Sequence, residues 1–77
     1  MVEVRFPTMS TRDPDAEGVV ATWFVRDGER VAADQLVAEV QVDKVSMEVP
    51  APVAGSVHLL VEEEAVIAQG TVIARID

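Results

Sequence analysis

Residues 37–49 read VAEVQVDKVSMEV, and their apolar positions alternate about a centre. Leu36, Ala38, Val40 and Val42 lead in; Val45, Met47 and Val49 lead out. A period of two that reflects about one pair of residues describes two antiparallel strands joined by a two-residue turn, here Asp43-Lys44. A helix cannot use this pattern, because a period of 3.6 scatters such side chains around all its faces.

The same texture runs through the whole chain. Valine supplies 16 of the 77 residues, against three leucines. β-branched side chains are stiff at χ1 and fit a pleated surface better than a helix. Short alternating runs predict strands near 2–6, 19–25, 36–42, 45–49, 56–61 and 72–76, with shorter ones near 30–32 and 66–68. Asp27-Gly28 is a turn signal, and Pro50 and Pro52 stop the strand after Met47. The expected class is all-β: a small sandwich or flattened barrel of about eight strands.

The chain also repeats itself. GVVATWF from Gly18 matches GSVHLLV from Gly55, and VAADQLVAEVQ from Val31 matches IAQGTVIARID from Ile67. The offset is 37 residues in the first match and 36 in the second, so one residue is lost between them. Neither copy can bury a core alone, but two paired about a pseudo-twofold axis can. The first copy turns at Asp43-Lys44, whereas the second ends at Asp77, the position matching Gln41. The two ends of the repeat are expected to lie far apart, with Lys44 on an exposed tip.

Composition narrows the chemistry. A single domain of this size has a marginal core. With no cysteine there is no disulfide, thiolate metal site or thiol nucleophile, and with His58 as the one histidine a metal cage would need carboxylates almost alone. A net charge of −8 disfavours nucleic acid and anionic membranes as partners. The start, MVEVRFPTMS, does not read as a signal peptide, and no apolar run approaches a bilayer's width. The expectation is a soluble protein, cytoplasmic or of the mitochondrial matrix, monomeric as an isolated domain.

Lys44 is the only lysine; the other five cationic residues are arginines. A hairpin lysine is ordinarily just solvated. Three features weigh against that here: its uniqueness, its apolar flanking strands, and a turn in which glycine would be easier at the second position. The residue reads as chosen for its amine.

EVQVDKVSMEVPAP, with Gly55 following, resembles the modification site of lipoyl domains from the acyltransferase (E2) components of 2-oxo acid dehydrogenase complexes. Glu39, Asp43, Lys44, Glu48, Val49, Pro50 and Gly55 occupy the family's positions. The likeness extends to FPTM near the start, EGVVATWFVRDGERV, and VIAQGTVIARID at the end. It implies a flattened β-barrel (a barrel-sandwich hybrid) of two four-stranded antiparallel sheets with an internal pseudo-twofold repeat. It implies lipoate amide-linked to Lys44 by a lipoate–protein ligase or lipoyl transferase, with Asp43 and Val45 as flanking recognition residues. The family's partners are a thiamin-dependent E1 decarboxylase that reductively acylates the arm, an E2 catalytic domain that transfers the acyl group to coenzyme A, and an E3 dihydrolipoamide dehydrogenase that reoxidises it. The chain is then a non-catalytic carrier, expected to be the N-terminal domain of a longer E2.

Three departures stand out. Val42 replaces the family's small polar residue, Ala65 stands where a glycine is common, and the loop between Pro7 and Gly18 is longer than usual. The second predicts a looser or reshaped turn after Glu62–Glu64. The third makes Thr8–Glu17 a candidate for E1 recognition. A biotinyl carrier shares the fold, but its tip reads Met-Lys-Met, whereas Lys44 lies between Asp43 and Val45. The glycine-cleavage H-protein is longer and has helices. An unmodified lipoyl-like adaptor is the reading from another class. Trp23 and Phe24 are expected on opposite faces of their strand, Glu62–Glu64 in a solvated turn, and His58 exposed.

Overall fold

Among the described residues eight strands form, each ending within two residues of its expected position. In the computed structural model, residues 1–8 and 16–77 are described. They run β1 (Val2–Arg5), β2 (Glu17–Trp23), β3 (Arg30–Val31), β4 (Leu36–Val42), β5 (Val45–Pro50), β6 (Gly55–Leu59), β7 (Val66–Ala68) and β8 (Val72–Ile76). Two four-stranded antiparallel sheets result, ordered β1-β8-β6-β3 and β5-β4-β2-β7. The buried layer between them holds Phe6, Val20, Val37, Val40, Val57, Ile73 and Ile76, all under 2% exposed.

The internal repeat accounts for both orders. β2, β3 and β4 correspond to β6, β7 and β8, and β5 corresponds to β1, so exchanging partners turns one sheet order into the other. Each half keeps three strands in one sheet and sends its shortest strand to the other. β3 pairs with β6 of the opposite half, and β7 with β2. The supporting hydrogen bonds come in matched pairs. Gly28 N–H donates to Val57 O at 2.7 Å, and Glu64 N–H donates to Val20 O at 2.7 Å. Asp27 Oδ1 accepts from Leu59 N–H at 2.9 Å, and Glu63 Oε2 accepts from Trp23 N–H at the same distance.

The residue lost between the copies has a location. β2 pairs with β4 through Val20↔Val40 and then Thr22↔Glu39, which leaves Ala21 as a bulge. The equivalent pairing of β6 with β8 runs from Val57↔Ile76 to Leu59↔Ala74 without a shift. One strand absorbs the extra residue as a local kink, and the matching offset drops from 37 to 36.

The turn after Glu62 is not the looser one that Ala65 suggests. It has the same closure as its counterpart: Ala65 N–H reaches Glu62 O at 3.2 Å, as Glu29 N–H reaches Arg26 O at 3.0 Å. The left-handed position falls one residue earlier, on Glu64 (φ 68°), where the first copy has Gly28 (φ 85°). Trp23 and Phe24 divide as their alternation requires. Trp23 packs on the core with its indole N–H on Val61 O at 3.2 Å, and Phe24 faces out.

Two substitutions test this packing. Glu64→Gly relieves a non-glycine residue of a left-handed backbone and should stabilise the domain by about 1 kcal/mol in chemical denaturation. Gly18→Ala should cost about 1–3 kcal/mol, because its Cβ would lie 2.5 Å from both Gln41 O and Phe6 Cζ.

Candidate functional site

The β4–β5 hairpin is paired in register from Val42↔Val45 through Gln41↔Ser46, Val40↔Met47 and Glu39↔Glu48 to Ala38↔Val49. The two residues left over, Asp43 and Lys44, make the turn. Asp43 carries the positive φ, 54°, and Lys44 does not. That is the sign pattern of a type II′ turn, which suits the twist of the flanking strands. The awkward position is therefore the first, not the second. An aspartate tolerates it better than most side chains, which frees the second position for any residue. Gln41 Nε2 donates to Asp43 O at 3.1 Å and braces the turn from one strand.

Lys44 is exposed, and no hydrogen bond or ion pair holds its side chain among the described residues. Its ammonium has no structural task to lose. Below it, Val42 (5% exposed) and Val49 (7%) fasten the two strands to the core. The alternation overstates this anchoring: Val45 and Met47 are 59% and 43% exposed. β5 is the last strand of its sheet, so among the described residues no further strand covers these side chains, although they share the inner face with Val42 and Val40.

The other residues marked by the sequence have separate places. His58 is half-exposed on β6, with Nε2 2.9 Å from Asp77 Oδ2, a contact that no spacing in the sequence announces. Glu63 is more than a solvated carboxylate, since it caps the end of β2 at Trp23. Of the segment Thr8–Glu17, the candidate for E1 recognition, residues 9–15 lie outside the described residues. A primary amine that is exposed on a braced turn, and unpartnered among the described residues, is chemically accessible as a nucleophile.

Known proteins resemble this chain in sequence and in fold. The family model Biotin_lipoyl, described as biotin-requiring enzyme, matches residues 2–76. The dihydrolipoyllysine-residue acetyltransferase component of the pyruvate dehydrogenase complex of Staphylococcus aureus is 45% identical over 62 residues, 79% of this chain and 14% of that protein. Its Staphylococcus epidermidis counterpart is 44% identical over the same length and shares. The chain thus spans 14% of the length of these curated relatives. The solution structure of the lipoyl domain of the 2-oxoglutarate dehydrogenase complex of Azotobacter vinelandii superposes with a TM-score of 0.81 at 29% identity, covering 100% of this chain and 96% of that one.

The turn can be tested through stability alone. Asp43→Val puts a β-branched residue at φ 54° and should cost about 1–2 kcal/mol, whereas Asp43→Gly should cost nothing. Lys44→Gln should leave the thermal midpoint unchanged, because its side chain supports no contact.

Proposed function

The chain belongs to the Biotin_lipoyl family, and we propose that it is a lipoyl carrier whose attachment point is the Nζ of Lys44. One observation carries the assignment. The only lysine of the sequence is also an exposed residue of a two-residue turn, without a side-chain partner among the described residues and projected by two anchored strands. The residues present suit an amide-linked group: acylation removes a charge that pairs with nothing among the described residues and leaves the chain one unit more negative than its −8.

Lipoate is favoured over biotin by the flanks. Asp43 and Val45 replace the methionines of a biotinyl tip, and the quoted relatives carry lipoyl names. When bound, the lipoyl group supplies a strained disulfide that accepts an acyl group reductively and can be reoxidised. The chain's own residues perform no bond-making. Asp43 sets the turn, Gln41 braces it, and Val42 and Val49 hold the hairpin still while Lys44 extends. The carried group is then presented to an E1 decarboxylase, an E2 acyltransferase domain and an E3 dehydrogenase in turn, and tethering raises its local concentration at each. The 45% identity to pyruvate dehydrogenase components favours an acetyl group as the cargo.

Intact mass tests the assignment directly. Incubation with lipoate, ATP and a purified lipoate–protein ligase should add one lipoyl group to the wild-type chain and none to Lys44→Arg. No lipoyl increment on the wild-type chain, a lipoylated Lys44→Arg, or preferential uptake of biotin in a parallel reaction with biotin, ATP and a biotin–protein ligase would overturn it.

A further inference from the structure

β5 begins at the residue after Lys44 and forms the outer edge of its sheet. The turn dictates which backbone groups that edge leaves open. Val42 and Val45 flank a two-residue turn and form a hydrogen-bonded pair, as do Val40 and Met47 two residues on. The N–H and C=O groups of Ser46 and Glu48 therefore point away from β4. Among the described residues, no other segment pairs with them. Beside this open edge stand Val45 and Met47, both substantially exposed.

The pseudo-twofold supplies an internal control for the charges. Positions 39 and 48 correspond to 75 and 3 in the other half. There the cross-strand pair is Glu3↔Arg75, of opposite sign, and Glu3 also meets Arg5 at 2.9 Å. In the hairpin the pair is Glu39↔Glu48, two carboxylates directly opposite, with no ion pair to a cation among the described residues. Like charges so placed weaken a sheet. They also exclude a second copy as the edge's occupant, since each copy brings the same carboxylates and a charge of −8. A strand that adds here must bring positive charge.

We propose that the β5 edge is a strand-addition site for the enzyme that acylates Lys44, an inference that rests on the lipoyl reading above. The occupant is an extended segment of that enzyme. Its main chain bonds to Ser46 and Glu48, its apolar side chains cover Val45 and Met47, and a basic side chain lies over Glu39 and Glu48. Of the proteins that handle a carried group, this one must reach Nζ itself, whereas those acting at the far end of the arm need not touch the hairpin. Main-chain pairing that starts two residues from the amine, at Ser46, holds it in register for attack.

The test uses a purified lipoate–protein ligase with lipoate and ATP. In the free domain the Ser46 and Glu48 amides should exchange rapidly with solvent, and in the complex with the ligase they should be protected. Ser46→Pro removes an outward N–H without breaking a bond to β4, so it should lower kcat/KM of lipoylation about tenfold through KM, the worth of one or two hydrogen bonds. Glu39→Gln with Glu48→Gln should lower kcat/KM at low salt and have little effect at high salt, while Glu3→Gln on the equivalent edge changes nothing. Unprotected amides in the complex, or a folded Ser46→Pro lipoylated at the wild-type rate, would overturn the proposal. If Ser46→Pro does not fold, the amide exchange of the wild type decides. A wild-type chain that takes no lipoate fails the functional reading itself; one that takes it equally well in every variant fails only the strand-addition site.

Discussion

The two halves of this chain hold each other in shape by exchanging their shortest strands. β3 of the first half completes the sheet of the second, and β7 returns the exchange. Two bonds of equal length, Gly28 N–H to Val57 O and Glu64 N–H to Val20 O, close the exchange on both sides. Strands of two and three residues cannot persist alone, and each exists because the opposite half offers it an edge. The interlock also explains how a core built mostly of valine suffices in so short a chain, since neither half can loosen without exposing the other.

The hairpin depends on that frame. Val42 and Val49 are seated between the sheets, and beyond them the chain projects with little covering. A carrier needs both properties, a fixed base and an uncovered end. They coexist because β4 is an inner strand and β5 an edge strand of one sheet. The backbone strain of the tip rests on Asp43, leaving Lys44 free of any structural duty.

Much of this was legible beforehand, because period-two alternation and turn residues report strands directly. β4 and β8 have the expected limits, and the repeat foretold the paired sheets. Lys44 was legible through its uniqueness. What alternation cannot report is position within a sheet. Val45 and Met47 have the pattern of core residues and lie at an edge, where the same pattern buries less. Nor could spacing reveal that Asp27 and Glu63 cap the opposite half, or that His58 meets Asp77, since these contacts join segments far apart in the chain. The one-residue slip in the repeat was visible, but only the register showed it as a bulge at Ala21.

The exchanged strands bear on ancestry. Two identical half-chains, each unable to fold alone, could assemble by the same exchange into a symmetric dimer with the same two sheets. Such a dimer would present two equivalent hairpins, and therefore two tip lysines. In the single chain, β1 and β8 occupy the place of the second hairpin, with Val2↔Ile76 matching Met47↔Val40, but that hairpin is cut open at its turn. Joining two halves into one chain leaves a single two-residue tip of this kind among the described residues.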